Sequence, residues 1–103
     1  MLESKYQAYL IKRLRSMFPD CIVIKNDPNY IQGIPDLLVL IGGFWAALEV
    51  KASWDSKEQP NQDYYVRVLN EMSFAAFIHP DNEEEVIDAL EQALAASWDA
   101  RVP

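Results

Sequence analysis

Residues 36–51, DLLVLIGGFWAALEVK, decide how this chain folds. Two apolar runs flank Gly42-Gly43, and a two-glycine loop between β-prone segments signals a hairpin. With those two residues as the loop, Ile41 faces Phe44, Val39 faces Ala46 and Leu37 faces Leu48 on one side of the ribbon. On the other side Leu40 meets Trp45, Leu38 meets Ala47 and Asp36 meets Glu49. Lys51, two residues past Glu49, projects to that same side. Three charged groups therefore gather at one end of an otherwise apolar ribbon.

Directly opposed residues hold their Cβ atoms roughly 4.5–5.5 Å apart, where two like charges destabilise the pair. A shared proton, a nearby cation or a bound metal offsets such repulsion. Paired hard oxygen ligands suit Mg²⁺, which takes one or two carboxylates and leaves room for water and phosphate. The hairpin alone leaves a metal site and a salt-bridge cluster neutralised by Lys51 equally open. Two residues elsewhere bear on that choice. Glu3 falls on the helical row of Leu10 and Leu14, and Gln62 stands to Leu69 as Glu3 does to Leu10. Each has an ordinary explanation, since acidic and polar residues suit a helix's first turn. Together with the hairpin acids they supply four oxygen-bearing side chains able to converge on one cleft.

Outward from the hairpin, the remaining elements follow from periodicity. Tyr6, Leu10, Leu14, Met17 and Phe18 predict a helix over residues 3–18, ended by Pro19-Asp20. A short strand, 21–25, leads into a turn-rich loop, 26–35. A second loop spans 52–59. Pro60 then opens a helix reaching Met72, with Tyr65, Val68, Leu69 and Met72 on its inner stripe. Residues 73–78 predict a fourth strand. A last helix, 83–97, starts with a capping-box pattern (Asn82, Glu85) and buries Val86, Leu90 and Leu94. Its outward face carries Glu83, Glu84, Asp88 and Glu91. The order α-β-β-β-α-β-α predicts a single domain, 1–103, of the α/β class, a sandwich over a mixed sheet.

A chain of 103 residues, half of them hydrophobic, suffices for one packed core, and dimerisation is a natural supplement at this size. No apolar run approaches the ~18 residues of a membrane span, and the first residues lack the basic-then-apolar order of a secretory signal. The lone cysteine, Cys21, reads as a small buried hydrophobe in a reducing cytoplasm. The net charge of −7 opposes a general polyanion binder. Its distribution changes that: residues 1–51 hold six basic against five acidic residues, and residues 52–103 three against eleven. The first half is free to face a polyanion, while the second carries the acidity.

Gly33-Ile-Pro-Asp36, followed by Glu49-Val-Lys51, resembles the signature of the PD-(D/E)XK nucleases. Glu3 in the first helix and Gln62 in the helix after the third strand fall where relatives place such residues. The likeness is greatest to the VRR-NUC branch, similar to archaeal-type Holliday-junction resolvases, and it covers roughly residues 3–80. One departure is that Val66 stands where some relatives carry a tyrosine, with Tyr65 one position earlier. The resemblance implies a restriction-endonuclease-like α-β-β-β-α-β core, a mixed four-stranded sheet flanked by helices, with an extra C-terminal helix. It also implies that Asp36, Glu49 and the Val50 carbonyl hold Mg²⁺ or Mn²⁺. Lys51 would orient the attacking water or stabilise developing charge. Glu3 would join an outer metal shell or place a water, and Gln62 would hold Lys51 or the nucleophile.

Lys5, Lys12, Arg13 and Arg15 on the first helix, with Lys25 at the end of the first strand, are candidate phosphate contacts. Tyr30 and Gln32 lie in the loop before Asp36, where a polar loop beside chemistry often touches substrate. The expected activity is metal-dependent endonucleolytic hydrolysis of DNA, at four-way junctions or other branches. A homodimer is expected too, because symmetric cutting of a junction needs two active sites. Its expected surfaces are the apolar faces of the second helix and the last strand. The alternatives are a nicking or restriction-like nuclease on duplex, or a non-catalytic nucleic-acid-binding module of the same fold. A bacterial or phage-encoded cytoplasmic protein is expected, with no membrane or organic cofactor.

Overall fold

The structure, a computed structural model, describes residues 2–99. The elements are α1 (Glu3–Met17), β1 (Ile22–Lys25), β2 (Leu37–Ile41), β3 (Phe44–Val50), α2 (Gln62–Met72), β4 (Phe74–Ile78) and α3 (Glu83–Asp99). They form one four-stranded sheet in the order β1-β2-β3-β4. The first two pairings are antiparallel and the third is parallel, so the sheet is mixed, with α2 as the crossover. The α/β expectation holds at that level. No helix among the described residues is long and apolar enough to cross a membrane.

The hairpin register is the one the glycines dictate: Leu37 pairs with Leu48, Val39 with Ala46 and Ile41 with Phe44. Gly42 alone of the two takes positive φ (60°), as the first central position of a type II′ turn requires. Alternation then sorts the side chains. Leu37, Val39 and Ile41, with Phe44, Ala46, Leu48 and Val50, turn to the face covered by α1 and α3. There they meet Tyr6, Leu10 and Leu14 of α1 and Ile87, Leu90 and Leu94 of α3, all buried. Burying a large apolar side chain fully is worth about 1.5–3 kcal/mol, so this face supplies most of the apolar burial that drives folding. Cys21 is partly buried against that core, its thiol directed at the Leu14 carbonyl.

The opposite face is arranged in cross-strand rows. Ile22, Leu40 and Trp45 form one, and Ile24, Leu38, Ala47 and Ala75 the next. The third continues through Asp36, Glu49 and Phe77. Here α2 packs on β3 and β4 but does not reach β1 or β2. That is why α2 buries no residue completely, and why Met72, expected on its inner stripe, is 68% exposed.

Three local expectations are corrected. Helix α2 starts at Gln62, not Pro60, because Asn61 takes a left-handed conformation (φ 70°) while its carbonyl accepts the Tyr65 N–H. No capping box forms between Asn82 and Glu85. The Asn82 side chain instead closes the β4–α3 turn, accepting from the His79 N–H and donating to the Phe77 carbonyl. Glu83, expected to face solvent, is buried: Tyr6, Tyr9 and Arg13 of α1 all donate to its carboxylate. A charge leaves water only when so provided for.

Candidate active site

Asp36 immediately precedes β2 and Glu49 is the penultimate residue of β3, so the hairpin register sets them side by side. Two anchors fix Asp36: its carbonyl accepts the Asn26 N–H (2.9 Å), and its Oδ2 accepts the Val50 N–H (2.8 Å). Asn26 also donates through Nδ2 to the Pro35 carbonyl (2.9 Å), stapling both ends of loop 26–36. The same register sets Pro35 across from Val50, and a proline has no N–H to offer the Val50 carbonyl.

The glycine before this strand has a steric reason. Gly33 takes φ 91°, and a Cβ there would lie 2.6 Å from the Asn61 Cβ and 2.8 Å from the Pro60 carbonyl oxygen. The loop carrying Asp36 is thus pressed against the start of α2, the turn that carries Gln62.

Glu49 is 2% exposed, and its Oε1 is the one buried side-chain oxygen or nitrogen among the described residues with no hydrogen-bond partner. Burial, then a hydrogen bond with Asp36 and the charge of Asp36, push its carboxyl up to about 9, against a smaller downward pull from Lys51. Glu3, exposed at the start of α1, feels the same cluster. Partial desolvation and the charge of Asp36 raise its carboxyl, against a smaller opposing pull from Lys51. Among the described residues no three Cys, His, Asp or Glu side chains are grouped to hold a metal, so Glu3 stands outside the Asp36–Glu49 pair.

Lys51 is buried where β3 ends. Its Nζ donates to the Gln62 Oε1 (2.7 Å) and the Lys57 carbonyl (3.2 Å), and its backbone N–H to the Ile78 carbonyl. Gln62 Oε1 also accepts the Gln59 N–H (2.8 Å), so one amide caps the loop and fixes the lysine. The register thus sets Asp36 beside Glu49, and Lys51, two residues further along the same side of the strand, is bonded to Gln62, with Glu3 at the margin.

The candidate phosphate contacts do not all converge. Arg13 is committed to an intramolecular ion pair with Glu83 and Glu84 of α3, which revises its expected role. Lys5, Lys12, Arg15 and Lys25 are exposed and make no ion pair among the described residues. Lys5 lies within a turn of Glu3, whereas Lys12 is nine residues along α1 from it, about 14 Å. Tyr30 (84% exposed) and Gln32 ride on the loop that ends in Asp36. Trp54 (74% exposed) tips the Ser53–Ser56 turn of the loop whose Lys57 carbonyl holds Lys51.

Two participants escape a reading of the sequence. Asn26 tethers Asp36, and its position at the end of a strand is the available signal. The Glu83 cluster has a fainter one: Tyr6, Tyr9 and Arg13 share a helical row whose ends are all donors. Comparison with protein-family models, with curated proteins and with solved structures finds no match to this chain.

Proposed function

We propose that this protein is a metal-dependent endodeoxyribonuclease of the PD-(D/E)XK type, acting on branched DNA. The observation that carries the reading is the buried, unpartnered Oε1 of Glu49, beside Asp36 and within the influence of Lys51. Two carboxylates and the Val50 carbonyl make a hard, all-oxygen donor set with only two protein charges, which fits Mg²⁺ or Mn²⁺ better than a softer or fully caged ion. A divalent ion held there by Asp36, Glu49 and the Val50 carbonyl would supply Lewis acidity toward a water and the scissile phosphate.

The remaining chemistry belongs to the side chains. Lys51, fixed by Gln62 and the Lys57 carbonyl, presents a cation to the oxygen on which negative charge develops. Its confinement matters because a point charge stabilises a transition state most when no reorganisation is needed. Asp36 is held open toward Glu49 by its bond to the Val50 N–H. Glu3, at the rim, accepts a proton or places a water. Lys5, beside Glu3, and Lys25 meet the phosphates flanking the cut, Lys12 and Arg15 meet more distant ones along α1, and Tyr30 and Trp54 offer stacking faces to unpaired bases. A twofold pair of sites suits symmetric cutting of a junction.

The test is cleavage of end-labelled four-way junction, flap and linear duplex with Mg²⁺ or Mn²⁺, using Lys51→Ala as control. Metal-dependent cutting of branched substrates, lost in the variant, is the expected result. Absence of cutting with either metal on all three substrates refutes the catalytic reading.

A further inference from the structure

We propose that Asn26 is a positioning residue for the site. Its amide keeps the β2–β3 ladder from closing one step further, which leaves the Val50 N–H to Asp36 and the Val50 carbonyl to a ligand. The bond pattern stands on the strand register alone; the ligand, a divalent cation, rests on the nuclease reading.

The last pairing of β2 with β3 is Leu37 with Leu48, although β3 continues through Glu49 and Val50 against β4. In a hairpin with a two-residue loop the flanking pair exchanges both backbone bonds, and every second pair beyond it does the same. Ile41–Phe44, Val39–Ala46 and Leu37–Leu48 are that series, and Pro35–Val50 is its next member. A closed ladder would set the Val50 N–H on the Pro35 carbonyl and the Val50 carbonyl on the N–H of residue 35. Neither bond forms. The Pro35 carbonyl accepts from Asn26 Nδ2 (2.9 Å), the Val50 N–H goes to Asp36 Oδ2 (2.8 Å), and a proline at 35 has no N–H to give.

The ladder on the other side of β2 is what places the amide. Beyond Lys25–Leu37, the Asn26 N–H still bonds the Asp36 carbonyl (2.9 Å), so the backbone itself holds Asn26 beside the carbonyl its side chain takes. Strand β4 offers the Val50 carbonyl nothing, because it bonds the peptide groups on either side, as the Lys51 N–H on the Ile78 carbonyl shows. Remove the Asn26 amide, and the Pro35 carbonyl becomes the acceptor that the register assigns to the Val50 N–H. Asp36 Oδ2 then loses the donor that holds it beside Glu49. An outer partner that orients a ligand carboxylate in this way typically accounts for roughly 10–100-fold in metal affinity.

The test is which carbon the Val50 amide nitrogen couples to across its hydrogen bond, read by NMR on labelled, metal-free protein, with Mg²⁺ affinity measured beside it by calorimetry. In wild type the coupling is expected to the Asp36 carboxyl carbon. In Asn26→Ala it is expected to the Pro35 carbonyl carbon, with the Mg²⁺ dissociation constant raised roughly 10–100-fold. Asn26→Leu, nearly isosteric and without a donor, is expected to match it, and it fills the volume should the alanine variant unfold. Unchanged couplings between Val39 and Ala46 show that the hairpin is intact. A Val50 amide that stays on Asp36 in a folded variant overturns the proposal, as does a switched bond with unchanged Mg²⁺ affinity. A wild type that takes up neither Mg²⁺ nor Mn²⁺ overturns the nuclease reading and the ligand named here, while the metal-free couplings still decide the bond pattern.

Discussion

Replacing Glu49 by glutamine should make the metal-free protein more stable at pH 8, although it removes the residue most central to the site. In the folded chain the Glu49 carboxyl is pushed up to about 9 from its ordinary 4.5 by burial and by Asp36. Between those values the unfolded chain has released this proton and the folded chain keeps it. Stability therefore falls as pH rises, by about 1.4 kcal/mol per unit for one proton. The contribution is fully present below about 4.5 and is lost as pH climbs toward 9. From pH 5 to pH 8 the loss reaches at most about 4 kcal/mol, a large share of the 5–15 kcal/mol typical of a domain.

An amide side chain cannot ionise, so the Glu49→Gln protein lacks this slope. Glu3 shifts in the same direction, but burial and Asp36 cause its rise, Lys51 opposes it, and both proteins keep all three, so the difference isolates Glu49. Urea unfolding in EDTA at pH 5, 6.5 and 8, followed by circular dichroism, measures it. The two proteins should be near-equal at pH 5 and diverge by roughly 2–4 kcal/mol at pH 8 in favour of the amide. Mg²⁺ at 100 times its dissociation constant should then return about 2.7 kcal/mol to wild type and little to the variant. A constant difference across pH, or a variant less stable than wild type at pH 8, refutes the reasoning.

Lys51→Ala should reduce metal-dependent cleavage by roughly 10²–10³ while leaving Mg²⁺ affinity within a few-fold, read by calorimetry beside single-turnover rates. Gly33→Ala should cost about 1–3 kcal/mol in chemical denaturation, because φ 91° and the 2.6 Å approach to Asn61 both oppose a Cβ. It should also lower cleavage by shifting loop 26–36. Arg13→Ala should destabilise the fold by about 1–3 kcal/mol by taking one of three donors from buried Glu83, while the salt dependence of DNA binding stays unchanged. A reduced salt slope would instead return Arg13 to the DNA contacts.

The parts of the fold legible in the sequence are those set by short-range rules. Period-2 alternation and Gly42-Gly43 fix the hairpin register, and the register alone brings Asp36 beside Glu49. Helical spacing places Tyr6, Leu10 and Leu14 on one buried row. What escapes depends on partners distant in the chain. Glu83 and Glu84 read as part of a solvated helix face, and only the donors on α1, some 70 residues earlier, bury the first of them. Likewise the inner stripe of α2 predicts burial, yet how much sheet one helix covers is a property of the assembled layers. The start of α2 differs from expectation because proline favours a first helical position, whereas Asn61 here adopts the left-handed conformation.

Among the described residues two glutamates are buried, and their contrast bears on what the site is for. Glu83 sits in the structural layer between α1 and α3, where two phenols and a guanidinium donate to it. That provision is what burial of a carboxylate requires when nothing else is to bind it. Glu49 is buried more deeply, and its Oε1 has no donor; Asp36, a second acid, is its nearest charged neighbour on the hairpin. Lys51 could have closed a salt bridge here, yet its Nζ is given to Gln62 and the Lys57 carbonyl. A chain able to satisfy one buried acid with three donors leaves the other short of a positive partner while holding a lysine close by and aimed elsewhere. Such an arrangement costs stability in the metal-free state, and a divalent cation is the ligand that would recover it. The salt-bridge alternative, open on hairpin geometry alone, is left with the smaller downward pull of Lys51 on Glu49, since no ion pair joins that lysine to either acid among the described residues.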